Sequence, residues 1–196
     1  MARIDCSVRD CGDPEDEGGA RVFEGMPDDL DESWRGGVLV GGMATVADDL
    51  EIARSYAEAA SLLVSRAIAD RDELRFLYPT LFLYRHALEL YLKLVVDPKR
   101  LNHNLLPLIE QFDVFIFQRY GARIPKALLE DLLELAKIDP NGEAFRYSRD
   151  RNKMPRILPG ENWVSLGELR HLMERFFHGV EEALRPASTP ISASGC

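Results

Sequence analysis

Apolar residues recur along this chain at helical spacing, and the pattern divides it into five blocks. The first opens at Thr45 and carries Asp48, Asp49 and Glu51 just behind it. That order suits an N-cap with negative charge in the first turn, and the helix should run to about residue 71. The second block, FLYPTLFLYRHALELYLKLVV at residues 76–96, is apolar around most of its girth, which predicts a helix at the centre of its domain. Pro79 suits a first turn or a kink, and Asp97-Pro98-Lys99 ends the block. A third helix is predicted from His103 to Tyr120, with Gly121 closing it. A fourth spans Pro125 to Lys137, with Leu128, Leu129, Leu132, Leu133 and Leu135 on its apolar side. Ser165 and Glu168 form a capping box for the fifth, which reaches about Leu184 and gathers Leu169, Leu172, Met173, Phe176, Phe177 and Val180 on one face. The expected fold class is therefore all-α: a helical bundle of about five helices, built around the second, with one long loop and disordered termini.

The second block breaks its own pattern. Arg85, His86, Glu89 and Lys93 interrupt the apolar run. At about 100° per residue, Glu89 falls near 40° from Arg85, Lys93 near 80° and His86 near 100°, with Tyr78 close to the same arc. Four ionisable groups near the midpoint would be very costly in hydrocarbon, so the block is not expected to be a membrane span. The stripe has two readings. One is an i,i+4 ladder from Arg85 to Glu89 to Lys93, each rung worth about 0.2–0.5 kcal/mol on an exposed helix. The other is a polar floor to a cleft or a subunit interface.

Length and charge refine this picture. The chain has 196 residues, 46% of them hydrophobic, and a net charge of −9, which allows one domain of ordinary size plus tails. Ten acids between residues 10 and 33 face only Arg21, giving −9 for that segment, so the remainder is close to neutral. Residues 1–44 thus read as a flexible acidic arm, residues 45–185 as the bundle, and residues 186–196 (PASTPISASGC) as a disordered tail. Cys6, Cys11 and Cys196 lie near the termini, where they build neither a disulfide framework nor a zinc pattern. With no signal-like segment, the expected setting is a reducing cytoplasm.

Residues 138–164 form the long loop, rich in Pro, Gly and Asn, and loops of this kind in compact domains are often functional. From Arg146 to Arg156, Arg146, Arg149, Arg151, Lys153 and Arg156 oppose Asp150, a net +4, with Phe145 and Tyr147 alongside. Arginines interleaved with aromatics suit phosphate contacts and base stacking; a solvated loop whose arginines pair with helix acids is the plainer reading. His171, Glu174 and His178 share one face of the fifth helix, a spacing that zinc sites use. Arg175 and Glu182 share it too, opposite the apolar side, so a solvated face is expected and no metal or other cofactor. No nucleophile elbow, P-loop or dinucleotide fingerprint is present in the sequence.

The run YRHALELYLK, then NHNLLPLI, then FRYSRD before the last helix resembles helical proteins of the HEPN superfamily. The likeness covers roughly residues 45–185. It implies a small α-helical bundle, commonly a homodimer, of the kind that acts on RNA in microbial toxin–antitoxin and antiviral systems or binds RNA or protein without catalysis. The ribonucleolytic members carry an Arg followed by a His after four to six residues. No Arg in this chain stands at that spacing from His86, His103, His171 or His178. The expectation is a non-catalytic module with an RNA or protein partner and no membrane. Two alternatives stand beside it: a divergent, metal-independent ribonuclease using Arg85, His86 and Glu89, and a regulator acting through its acidic arm. Tyr78, Lys93, His103, Arg146, Tyr147, Arg149 and Arg151 are the candidate ligand-binding residues.

Overall fold

The computed structural model describes residues 48–98, 102–149, 152–154, 161 and 163–185, all within one compact unit that begins at Ala47. The expected acidic arm and C-terminal tail lie outside the described residues. Five helices form in order: α1 (Asp49–Asp70), α2 (Glu73–Val96), α3 (Leu105–Tyr120), α4 (Lys126–Ile138) and α5 (Leu166–Leu184). No strand occurs among the described residues. The all-α bundle is the architecture that the apolar spacing predicts.

The helix ends follow local chemistry. α1 is capped by Asp48 in place of the expected Thr45, which lies outside the described residues. Asp48 accepts from the Glu51 amide at 2.8 Å, and the Glu51 carboxylate returns to the Asp48 amide at 3.3 Å. This reciprocal box satisfies two N–H groups that a helix start leaves without partners. Arg71, in the left-handed region at φ 54, ends α1, and α2 begins at Glu73, three residues earlier than the apolar run implies. Pro79 is therefore inside α2, where it supplies no N–H to the ladder. Asn104, one residue past His103, caps α3 by accepting from the Leu106 amide at 3.1 Å, and Gly121 at φ 69 closes it. Ser165 caps α5 as expected, accepting from the Glu168 amide.

α2 packs against α1, α3 and α5, while α4 packs on α3 and α1 touches α5. Small side chains make the closest approach possible: Ala53, Ala60, Val64 and Ala67 of α1 are fully buried, so α1 carries no long side chain between itself and its neighbours. Opposite them, Met173, Phe176, Phe177 and Val180 bury the apolar side of α5. Each such side chain contributes about 1.5–3 kcal/mol when removed from water. Phe177 stacks on Tyr91 of α2 with ring centroids 4.4 Å apart, fixing α5 against the central helix. No helix among the described residues is long and apolar enough to cross a membrane.

Candidate functional site

The polar stripe of α2 turns inward. Arg85 and Glu89 are 2% and 1% exposed, so neither floors an open cleft. Arg85 Nε donates to the Asp139 carbonyl at 3.0 Å and faces Asp139 Oδ2 at 3.4 Å. Nη1 meets Glu89 Oε2 at 2.7 Å. Nη2 donates to the carbonyls of His103 and, at 3.2 Å, Pro140. One guanidinium thus ties α2 to the segment entering α3 and to the turn leaving α4. Both are stretches whose carbonyls lack helical partners, which is why a fork of donors is useful there.

The turn is shaped around that guanidinium. Asp139 Oδ1 accepts from the amides of Glu143 and Ala144 at 2.8 and 3.0 Å. Gly142 sits at φ +73, and a Cβ on it would lie 3.0 Å from Arg85 Nη1 and 3.1 Å from Cζ. Only glycine combines that backbone with that approach. On the other side, Glu89 Oε1 accepts Lys93 Nζ at 2.5 Å and pairs with His103 Nδ1 at 2.9 Å. Burial pushes the Glu89 pKa up, but hydrogen bonds from Lys93 and Arg85 outweigh it and hold the carboxyl below its ordinary range. The plain i,i+4 ladder is therefore present, but buried and extended to the loop.

This anchored turn delivers Arg146 and Tyr147 to the outside of α2. Arg146 Nε donates back to the Gly142 carbonyl at 2.5 Å. Its guanidinium carbon lies 5.4 Å from the Phe82 ring centre and 5.3 Å from that of Tyr147, both within cation–π range. Phe82 stacks on His86, with centroids 5.9 Å apart and planes 8° from parallel. His86 in turn meets the edge of Tyr56 from α1 at 4.4 Å. Burial lowers the His86 pKa from its ordinary value; Glu89 opposes that shift and Arg85 adds to it. The result is a run of rings and one guanidinium, half-buried at Phe82 and His86 and exposed at Arg146 and Tyr147.

The candidate residues therefore separate. Arg85, Glu89, Lys93 and His103 form the interior network, and His86, Arg146 and Tyr147 the outer layer. Arg149 reaches only the Lys153 carbonyl, at 3.4 Å, and Arg151 lies outside the described residues. Tyr78 joins neither group. It lines an apolar groove of about 340 Å³ between α2, α4 and the start of α5, beside Trp163, which is 96% exposed. His171, Glu174 and His178 are exposed, as their shared polar face implies, and no group of three metal-ligating side chains occurs among the described residues.

Three residues escape the sequence reading. Phe82 falls near 60° on the wheel that places Arg85 at 0°, inside the polar arc, but an aromatic ring in an apolar run gives no sign of it. Asp139 and Gly142 sit in a D-P-N-G turn signature whose buried partner, 54 residues earlier in the chain, no local pattern names. Comparison with family models, curated proteins and solved structures finds no match.

Proposed function

We propose that this chain is a HEPN-like helical module that binds unpaired RNA without cleaving it, as a homodimeric component of a microbial defence or toxin–antitoxin system in the cytoplasm. The observation that carries the binding part is the Arg146 guanidinium held between Phe82 and Tyr147 beside the Phe82–His86 stack. Unstacked bases are bound by such rings and planar cations, with phosphates attracted to the same charge. The non-catalytic part is supported by Arg85 and Glu89, whose polar atoms are directed at protein groups. A ribonuclease built on them would have to give those bonds up. The dimer part draws on α3, where Val114, Phe117 and Tyr120 are each 45–52% exposed on one side. The system and compartment rest on the resemblance in the sequence.

A protein partner is the second reading, favoured by the groove beside Trp163 and Tyr78 with Asp131 and Glu134 among its lining residues. Incubation of the purified chain with labelled total RNA separates the readings. The expected result is retention without cleavage, weakened roughly 5- to 150-fold by Arg146→Ala or Tyr147→Ala, from about 1–3 kcal/mol per stacked base. Cleavage that disappears in His86→Ala would establish the ribonuclease alternative. Stronger retention after deletion of residues 1–44 would establish the arm as a regulator. No retention by either form would leave the protein-partner reading.

A further inference from the structure

A second site lies on another side of α2. Between α1 and α5 is a groove of about 360 Å³, with Tyr84, Tyr91 and Phe177 among its lining residues. Tyr84 is 1% exposed, yet its hydroxyl is buried without a hydrogen-bond partner. An unmatched buried hydroxyl is uncommon and costly in a folded chain. Its surroundings are acidic. Glu58, Glu174 and Glu181 line the groove against Arg54 and His178.

The three carboxylates are not equivalent. Glu181 is fully engaged: Arg54 reaches both of its oxygens at 2.8 Å and the Tyr91 hydroxyl donates at 2.6 Å. The Arg54 hydrogen bond, with Tyr91 adding to it against partial burial, brings its pKa down to about 2. Glu174 is loosely held. Ser61 donates to it at 3.4 Å, and Arg170 and His171 approach no closer than 3.9 Å. A carboxylate with free lone pairs thus accompanies an unmatched hydroxyl and an aromatic wall. That combination recognises an ammonium group, by ion pairing, by the hydroxyl oxygen as acceptor and by the ring faces.

We propose that the groove between α1 and α5 binds a small aliphatic amine of the polyamine class, its ammonium held by Glu174 and the Tyr84 hydroxyl oxygen. This site is independent of the RNA-binding reading and shares none of its residues. The test is isothermal titration of the full chain with spermidine and putrescine, repeated with magnesium chloride. The expected result is saturable amine binding, weakened roughly tenfold or more by Glu174→Gln and by Tyr84→Phe, the loss of a charge-assisted hydrogen bond in each case. Tyr84→Phe should leave the melting temperature of the free protein unchanged or raised, because the hydroxyl has no partner to lose. Absence of amine binding overturns the proposal. So does binding that both variants retain, or that magnesium matches, because either marks diffuse attraction to an acidic chain.

Discussion

Replacing Arg85 with Met keeps the length and apolar stem of the side chain and removes the guanidinium. The change leaves Asp139 Oδ2 with no partner, since Arg85 is its ion-pair partner and it makes no hydrogen bond. It also strips donors from the carbonyls of Asp139, His103 and Pro140. Glu89 keeps Lys93 and His103, so the damage falls mainly on the loop side. Breaking a buried pair by removing one partner costs about 3–5 kcal/mol, a large share of the roughly 5–15 kcal/mol that holds a domain together. For a unit of this size each kcal/mol lowers the melting temperature by about 2–4 °C, so a fall of roughly 10 °C is expected. Calorimetry measures it, and hydrogen exchange at the Glu143 and Ala144 amides locates it. Those amides should lose protection well before the amides at the centre of α5. A fall below about 3 °C, or unchanged exchange in the 139–147 turn, would refute the view that Arg85 braces the loop.

Further predictions follow from the same contacts. Gly142→Ala places a side chain at a positive φ and against Arg85; chemical denaturation should show a loss of about 1–2 kcal/mol or more. Glu181 has a folded pKa near 2, below the ordinary glutamate value of about 4.3. Its contribution is fully present above that ordinary value and is lost as pH falls toward 2. Glu181→Gln should therefore be destabilising at pH 7, with the gap to the parent protein closing in acid melts. His86 should titrate below the ordinary histidine value of about 6.5 by NMR, and Tyr56→Ala, which uncovers its ring, should move it back up.

The helices were legible because apolar spacing is a local property, and α5 shows it most plainly, with Met173, Phe176, Phe177 and Val180 buried on one face. Their starts were less so, because Thr45, Asp48 and Asp49 are all able to cap and only the Asp48–Glu51 reciprocity decides. The stripe on α2 was legible as an arc. Its direction was not. Whether Arg85 faces water or protein depends on a turn between α4 and α5, and a helical wheel contains no information about what packs on it. The Arg146–Tyr147 pairing with α2 was legible as charge beside aromatics, while Phe82 was hidden because a buried ring and a ring under a guanidinium look alike in sequence. Tyr84 left no trace at all, since an unmatched hydroxyl exists only once every neighbour is placed.

The central claim is that Arg85 positions the loop and Arg146 makes the contact. The direct measurement is a double-mutant cycle on binding of a labelled unstructured RNA, using Arg85→Lys, which keeps the charge but loses the fork, with Arg146→Ala. If Arg85 acts through the loop, each single variant weakens binding and the double variant is little weaker than Arg146→Ala alone. Fully additive losses, or an Arg85→Lys protein that binds RNA as the parent does, would contradict it.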